Sequence, residues 1–597
     1  MTSPKQTLLG SLILFCCALA FAQDGSVIYR ISLLNPASHL LQVRLVLPAG
    51  PSVRHLQMPV WNALYQVRDF SQYVDWVNAK DSSGNPLPVR SLNKSLWEVS
   101  GTGVGTEIEY EIYADQPGPY GAQFNQHHAF LNLAEVLMYP LEDRGFPIQV
   151  SFSGIPSGWR VAAALPRVED HYAAENYDRL VDSPFELSEF QEVDFDEGGG
   201  HYRVVVDADA TDYDMARLAP VVHRIVTAET TWMKDRPFDT YTFIYHFPQE
   251  PGGGGMEHAY STAIDLNAQV LADHFDAFAE VTAHEFFHLW NVKRIRPQSL
   301  EPVDYTKENY CNALWFSEGV TNTVENISLF RAGLLDEPGY LRALADDIQS
   351  FERRPAHLTQ SAEASSLSAW LEKYSYYREP QRSVSYYNKG ELLGVLLDLA
   401  MRDATHGTVS LRDLFLAMNA DAKQGKFFAD SGGVREAAEA ISHTDLKSFF
   451  EKYVAGTDDI PWNQFFQTVG LQLNEVKTTK ADPEFSVARS FGGLSFVTSI
   501  TAGSEAERSG LAVGDSILQL NNRAVSGDLN NQLAQLPPGD TIRLRVRNHR
   551  GDHEVHWKLA SRQQVEFRLE DVQNVTLQQK ARRAAWLMGE SEGVAQP

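Results

Sequence analysis

The spacing of apolar residues changes twice along the chain. From about residue 25 to 205, apolar and polar residues alternate, as in SVIYRISL and EIEYEIY, and turn residues separate these segments. A period of two predicts strands with one buried face. We therefore predict an N-terminal antiparallel β domain over residues 23–205, with a structural role or a role in shaping access to a neighbouring site.

Helical spacing follows from about residue 210, in MARLAPVVHRIVTAETTWMKD and FDAFAEVTAHEFFHLWNVKR, with the strand-like YTFIYHF between them. Many helices after a strand-rich stretch are typical of an α+β domain, which we predict at 206–475. Alternation returns after about residue 480 in LSFVTSI, DSILQLNN and TIRLRVRN. This predicts a third domain at 476–562, followed by a charged, partly helical tail at 563–597.

The first 22 residues have the pattern of a secretion signal. Lys5 precedes an apolar run that begins at Leu8, and Ala20-Phe21-Ala22 provides a small-residue cleavage site. We expect export to the periplasm; the alternative is an uncleaved membrane anchor. Two of the three cysteines lie in this segment, so the mature chain would keep Cys311 alone and form no internal disulfide.

Charge and composition narrow the classes of partner. The chain has 51 Lys and Arg against 77 Asp and Glu, a formal net charge of −26, and no long basic run. This argues against nucleic acid and against a stable membrane partner. Hydrophobic residues make up 43% of the chain, enough to bury several cores.

A short histidine motif indicates a metal site. Residues 284–288 read His284-Glu285-Phe286-Phe287-His288. On a helix, residues four apart share a face, so both imidazoles can bind one ion, and Glu285 lies where it can take a proton from water. The alternative is a pair of packed or solvated histidines on an ordinary helix.

A catalytic zinc site also needs a third protein ligand and an open position. Glu318 in LWFSEGVTNTVE is flanked by large apolar residues, and such an acid faces inward towards a ligand or partner. We therefore choose Glu318 over the competing acids Glu301, Glu308 and Glu325, with Glu325 in a supporting role. His284, His288 and Glu318 would hold one Zn²⁺ per chain in a thermolysin-type site. The ion would activate a water, with Glu285 as general base.

Four successive glycines precede an acid in EPGGGGMEHAYST, residues 250–262. A phosphate loop would need a following helix and a Lys-Ser or Lys-Thr pair, and a linker would not lie inside one domain. The remaining interpretation is an edge, at Gly254, Gly255 and Met256, against which a substrate backbone lies and where Cβ atoms would clash. Glu257 would then bind a positive charge.

These motifs resemble those of the gluzincin aminopeptidases, whose Gly-x-Met-Glu-Asn segment binds the substrate's α-ammonium; here His258 replaces the asparagine. HEFFHLWNVKRIRP, GGGGMEH, WFSEG and the C-terminal segment look specifically like the glycyl aminopeptidase family. The resemblance implies an N-terminal β domain, a thermolysin-like α+β zinc peptidase domain and a PDZ domain. It also implies release of N-terminal glycine or alanine from peptides with a free N-terminus, with Glu257 as the amine anchor.

The same resemblance suggests an oxyanion-stabilising tyrosine. In VSYYNKGELLGVLLDL it points to Tyr387, with Tyr386 in reserve. Without the resemblance, this aromatic pair reads as core packing before a helix. The segment between His288 and Glu318 is longer than in the broader gluzincins and contains Lys293, Arg294 and Arg296. These residues would bind a substrate carboxylate or form a solvated rim, and we favour the rim.

The segment at 491–526 resembles a PDZ domain. Its predicted carboxylate-binding loop, Gly493-Leu494-Ser495-Phe496, would bind a peptide C-terminus, unless the chain itself fills the groove. Two alternatives to an aminopeptidase therefore stay open: a secreted zinc endopeptidase, and a non-catalytic protein that binds peptides through the PDZ groove.

Overall fold

The computed structural model describes residues 25–62, 65–250, 253–372, 374, 379–489, 495–525 and 529–592. Two compact units account for these residues. The first contains the described parts of 25–340, 351–470 and 575–592, and the second contains 341–350 and 471–574. The predicted signal peptide lies outside the described residues. Within them, no helix combines the length and apolar character needed to cross a bilayer.

The N-terminal part of the first unit is built from strands. In chain order they are β1 Val27–Asn35, β2 Leu40–Leu47, β3 Val53–Gln57, β4 Val74–Asp81, β5 Pro86–Leu87, β6 Val89–Asn93, β7 Leu96–Ser100, β8 Thr106–Tyr113, β9 Ala122–Phe124, β10 His128–Leu131, β11 Tyr139–Pro140, β12 Ile148–Ser153, β13 Arg160–Ala163, β14 Arg167–Val168, β15 His171–Ala174 and β16 Phe185–Ser188. They form sheets ordered β14-β15-β12-β1-β2-β8-β4-β5, β13-β16-β10-β9 and β11-β3-β7-β6.

The predicted β-rich N-terminal domain is confirmed. The alternating residues Tyr29, Val43 and Tyr110 on the central strands β1, β2 and β8 are fully buried in one core. Pairing in these sheets is antiparallel, apart from the parallel pair of β1 with β12.

A fourth sheet forms the central part of the unit. Its strands are β17 Gln191–Glu197, β18 Gly200–Asp207, β19 Thr240–His246, β20 Gly253–Glu257 and β21 Ser261–Leu266, in the order β17-β18-β19-β21-β20. β18, β19 and β21 run parallel, and β20 pairs antiparallel with β21 at the edge. The predicted domain boundary at residue 205 falls within β18.

Helices dominate the chain after this sheet. In chain order the helices are α1 Leu133–Val136, α2 Tyr177–Val181, α3 Met215–Met233, α4 Ala268–Asp273, α5 Asp276–Phe287, α6 Val320–Arg331, α7 Glu337–Glu352, α8 Ala362–Leu367, α9 Tyr386–Ala404, α10 Leu411–Ala422, α11 Asp430–Ser442, α12 Lys447–Phe449, α13 Trp462–Phe466, α14 Glu505–Arg508, α15 Leu529–Ala534 and α16 Leu577–Leu587. A π-helical turn, Trp315–Gly319, leads directly into α6. Helix α5 packs against α3, α6 and the sheet strands β20 and β21.

The last helix belongs to the first unit, although the second unit precedes it in sequence. Arg583 of α16 donates to the carbonyls of Val469 and Gly470 at 3.0 and 2.9 Å. The Gly589 carbonyl accepts from the Trp232 indole at 2.8 Å. The helical part of the predicted tail is therefore packed against the unit that carries the zinc motif.

The second unit contains the long pair β22 Leu471–Asp482 and β29 Ala560–Asp571. Its main sheet contains β23 Phe485–Arg489, β24 Ser495–Ile500, β25 Ser516–Leu520, β26 Arg523–Ala524, β27 Thr541–Asn548 and β28 Gly551–Lys558. Ser495 and Phe496 begin β24 and pair with β25. Gly493 and Leu494 lie outside the described residues, and the PDZ assignment stays a prediction.

Candidate metal centre and active site

Helix α5 brings the two motif histidines together. His284 lies in its last turn, and His288 caps its end in a helical conformation. As expected for residues four apart, both rings project to the same side, with their Nε2 atoms 3.0 Å apart. Both side chains are largely buried, so the helix presents two imidazole nitrogens to one small space.

Glu318 completes the set from the π-helical turn. Its Oε2 lies 3.3 Å from Nε2 of His288 and 3.6 Å from Nε2 of His284. Tetrahedral ligands about 2.1 Å from one zinc ion lie roughly 3.4 Å from one another, so these separations suit a shared ion. The structure brings together the three predicted ligands.

The outer ring nitrogens show which atoms face the centre. His288 Nδ1 donates to the Asn291 carbonyl at 2.7 Å, and His284 Nδ1 lies 3.5 Å from Oε2 of Glu325. Each ring therefore turns its Nε2 lone pair inward, where the lone pairs and the Glu318 carboxylate repel one another unless a cation lies between them. The residues present fit a divalent ion such as Zn²⁺.

Asn291 holds this arrangement together. Its side-chain amide donates to the carbonyls of Phe316 and Ser317 and to the hydroxyl of Thr321, at 3.0, 3.2 and 3.0 Å. One buried asparagine thus connects the histidine helix with the turn that carries Glu318. Apart from its position three residues after His288, nothing in the sequence indicated this role for Asn291.

Glu285 lies beside the ligands in a buried position. Its Oε2 has no hydrogen-bond partner among the described residues. Burial raises the pKa of Glu285 to about 7, and the two histidines oppose that rise. A carboxylate with an unengaged oxygen and a pKa near neutrality is suited to accept and return a proton.

The glycines of β20 are explained by contacts within the protein. A Cβ on Gly255 would overlap the Glu285 carboxylate, and a Cβ on Gly254 would overlap the Tyr120 hydroxyl. Gly254 also has a φ of +142°, which side chains disfavour. The edge position of β20 agrees with the prediction, but the crowding arises from Glu285 and Tyr120.

Glu257 lines a cavity that also includes the two histidines, Glu285 and Glu318, and its side chain is 24% exposed. Side chains two apart on a strand share a face, so Glu257 lies on the face on which Gly255 meets Glu285. Met256 is buried, and its sulfur accepts from the Asn132 amide at 3.0 Å.

Lys293 lies next to Glu257, with Nζ 3.8 Å from its Oε1. The same ammonium is 2.9 Å from Asp182, and Lys293 is only 13% exposed. The preferred interpretation of Lys293 as part of a solvated rim was wrong, because the lysine forms a buried ion pair with an acid from the N-terminal part. His258, the departure from the gluzincin motif, has its Nδ1 3.3 Å from the same acid.

The two tyrosines at the start of α9 have different surroundings. Tyr387 lines the cavity, and its ring centre is 6.1 Å from that of His284. Tyr386 is fully buried, and its hydroxyl donates to Glu372 at 3.4 Å. A Cβ on Gly390 would overlap the Trp315 carbonyl, so this glycine lets α9 approach the ligand turn closely.

A cavity of about 610 Å³ joins these residues. Residues of the N-terminal β part contribute to its wall, among them Trp61, Tyr120 and Asp182. The prediction that this part shapes access to a neighbouring site agrees with that lining. Alternating strands gave no indication of which of their residues would reach the cavity.

Comparison with known proteins places the chain among peptidases. The model of the peptidase M61 N-terminal domain matches residues 28–189, and the model of the M61 glycyl aminopeptidase matches residues 277–393. A comparison with curated proteins finds no match.

Two solved structures illustrate the likeness in fold. An aminopeptidase N family protein from Idiomarina loihiensis is 23% identical, with a TM-score of 0.78, and the match covers 94% of this chain and 100% of that one. An M1 zinc metallopeptidase mutant from Deinococcus radiodurans, bound to a Tyr-Ser-Ala substrate, is 12% identical over 74% of this chain and 96% of that one, with a TM-score of 0.47. The likeness to the Idiomarina loihiensis structure supports the fold of this chain.

Together, the family matches and the histidine–glutamate cluster define a metallo-aminopeptidase, a hydrolase of peptide bonds. Two separate parts of the chain match the models of the M61 N-terminal domain and the M61 glycyl aminopeptidase, so the resemblance predicted from its motifs is confirmed.

Proposed function

We propose that the enzyme is a zinc-dependent aminopeptidase that hydrolyses the first peptide bond of peptides with a free N-terminus. His284, His288 and Glu318 would hold one Zn²⁺. When bound there, zinc supplies Lewis-acid chemistry for the scissile carbonyl and a water. The observation that carries the proposal is that Glu257, which lies on the edge strand β20, lines the same cavity as these three residues.

Substrate binding would use the edge strand β20. An extended peptide can pair with an exposed sheet edge, which fixes its backbone relative to neighbouring side chains. Glu257 would attract the α-ammonium, so that the first peptide bond lies beside Glu285. A longer N-terminal extension would lose this ion pair, which favours cleavage after one residue.

Proton transfer would use the Glu285 carboxylate. Its Oε2 has no partner among the described residues and can accept a proton from water. The same atom can then return the proton to the leaving amine. Tyr387 lines the cavity near His284 and would donate its hydroxyl hydrogen to the developing oxyanion.

Export to the periplasm and a PDZ domain that binds a peptide C-terminus are further parts of this proposal. The preference for glycine or alanine as the first residue is also part of this proposal; the match to the M61 glycyl aminopeptidase model supports glycine. The PDZ assignment is supported by the motif at 491–526 and the β-rich second unit.

One contact favours an alternative function. Lys293 lies 3.8 Å from Glu257 and competes for its charge. If Glu257 is committed to Lys293, it cannot anchor an amine, and the enzyme would cut internal bonds as an endopeptidase.

The test uses a Gly-initiated peptide and its N-acetylated form, with the native enzyme, the chelated enzyme and Glu285→Gln. We expect cleavage of the unblocked peptide alone, its loss on chelation, and its recovery when Zn²⁺ is returned. Glu285→Gln should bind zinc and be inactive. Equal cleavage of both peptides would contradict the aminopeptidase mechanism and favour the endopeptidase.

A further inference from the structure

A second group of metal-ligand side chains lies outside the cavity lining, where two sheets of the first unit meet. His128 begins β10 and Glu186 lies in β16, while Asp207 and His246 end the neighbouring strands β18 and β19. Asp207 and His246 are direct register partners. One ligand atom from each of the four residues lies within 4.8 Å of the others.

The separations within this group resemble those of the first metal centre. Oε2 of Glu186 is 3.1 Å from Nε2 of His246 and 3.7 Å from Nδ1 of His128. The same Nδ1 is 3.2 Å from Oδ2 of Asp207. These distances scatter around the roughly 3.4 Å expected between tetrahedral ligands of one ion.

The outer nitrogens of both rings are engaged by acceptors. His246 Nδ1 is 2.9 Å from Asp265 Oδ1, and His128 Nε2 is 3.0 Å from the Gln123 amide oxygen. The Gln123 amide nitrogen in turn donates to Asp115, which fixes the orientation of the amide. In their neutral form, both rings can therefore direct a lone pair at Glu186 and Asp207; in the protonated form, Nε2 of His246 donates to Glu186 at 3.1 Å. Outer-shell acceptors of this kind commonly orient metal-binding histidines.

Nε2 of His246 and Oε2 of Glu186 are hydrogen-bond partners, but two other atoms of the cluster have none among the described residues. Glu186 is fully buried, and its Oε1 has no hydrogen-bond partner among the described residues. His128 Nδ1 is also buried and makes no hydrogen bond there, although Asp207 is nearby. Buried unsatisfied polar atoms cost free energy, and a cation among them would remove that cost.

We propose that His128, Glu186, Asp207 and His246 form a second divalent-cation site, with Zn²⁺ as the expected ion. Two imidazoles and two carboxylates are a ligand set that zinc accepts. Four protein ligands leave no open tetrahedral position, so the role is structural. The exposed parts of His128 and Asp207, 14% and 22%, give the ion a route of entry.

The position suggests what the ion stabilises. It would join strands β10 and β16 of the N-terminal part to β18 and β19. Asp265, the outer partner of His246, lies on β21 opposite Gly254 of the edge strand β20. A bound ion would therefore stiffen the sheet that carries the candidate substrate edge. This inference does not depend on the proposed peptidase mechanism.

The alternative to a bound metal ion is protonation of the histidines in the cluster. Although burial opposes it, Asp207 and Glu186 raise the pKa of His128 to about 9. In a metal-free cluster, His128 would therefore be protonated at neutral pH. Metal content separates the two possibilities.

The experiment measures zinc per chain by elemental analysis after purification and dialysis against Zn²⁺-containing buffer. We expect about two ions in the native enzyme, about one in Glu186→Gln, about one in His288→Ala, and none in the double variant. Glu189→Gln, an exposed acid three residues from Glu186, should keep both ions. If the first centre bound no ion, native enzyme and Glu186→Gln would each hold one ion fewer while His288→Ala would still hold one, so the two hypotheses fail separately.

Because a variant that folds poorly could lose zinc for that reason alone, a second measurement compares melting temperatures with and without a chelator. In the His288→Ala background, chelation should lower the melting temperature by several degrees, and adding Glu186→Gln should abolish that shift. About one ion in the native enzyme that is unaffected by Glu186→Gln, with no chelator-dependent shift in His288→Ala, would overturn the second site.

Discussion

Gly255→Ala tests whether the edge strand and the general base are fitted to each other. The new Cβ would overlap the Glu285 carboxylate, and an ordinary contact requires a separation of at least 3.4 Å. Either Glu285 or β20 must therefore move by about 1 Å. A displacement of about 1 Å at a reacting group can reduce rate by roughly 100-fold, about 2.7 kcal/mol in the activation barrier.

The assay is kcat and KM for a Gly-initiated peptide, with zinc content and melting temperature measured on the same samples. We expect the fall mainly in kcat, with zinc retained, because the three atoms nearest the new Cβ all belong to Glu285 and none to a metal ligand. Gly432→Ala is a matched control: its Cβ would meet nothing within 4 Å, and it lies in helix α11. A Gly255→Ala enzyme with near-native kcat would refute the close fit of β20 to Glu285.

Three further substitutions test the supports of the site. Asn291→Ala should weaken zinc binding by roughly 10- to 100-fold in a chelator competition, because the link between the ligand elements is lost; unchanged affinity would contradict this. Asp182→Asn should lower the free energy of unfolding in urea by about 3 kcal/mol, since it leaves Lys293 buried without its partner. Burial alone would raise the pKa of Asp182, but Lys293 holds that pKa below its usual range. The loss of stability in Asp182→Asn should therefore persist at neutral pH and shrink as the pH falls below about 4. A difference in stability that is the same at all pH values would argue against the ion pair. Gly390→Ala should reduce kcat by about 10-fold or more through overlap with the Trp315 carbonyl, and native activity would show that α9 tolerates the displacement.

Local motifs predicted that His284, His288 and Glu318 would lie together, because the two histidines are separated by a short helical spacing. Two histidines four apart on a helix must share a face, and the apolar flank of Glu318 indicated an inward side chain. The resemblance favoured Tyr387 over Tyr386, and the structure agrees with that preference in one respect, because Tyr387 lines the cavity and Tyr386 is fully buried.

Contacts between residues far apart in the chain could not be predicted from the sequence. Asp182 and Lys293 are 111 residues apart, and His128 and Asp207 are 79 apart with the other members of their cluster on separate strands. No periodicity specifies which strand ends meet. The glycines of β20 were correctly expected at an edge, but their close neighbours, Glu285 and Tyr120, come from a helix and from the N-terminal part.

The most direct test of the account compares kcat/KM for Gly-initiated and N-acetyl-Gly-initiated peptides in native enzyme and Glu257→Gln. Glu301→Gln is the control, since Glu301 lines the same cavity but pairs with Arg296 at 2.7 Å. If Glu257 anchors the α-ammonium, its substitution should cost about 2 kcal/mol, roughly 30-fold, for the unblocked peptide, while native enzyme and Glu301→Gln keep a strong preference for it. Comparable cleavage of both peptides by native enzyme, unchanged in Glu257→Gln, would contradict the amine anchor and the aminopeptidase mechanism built on it.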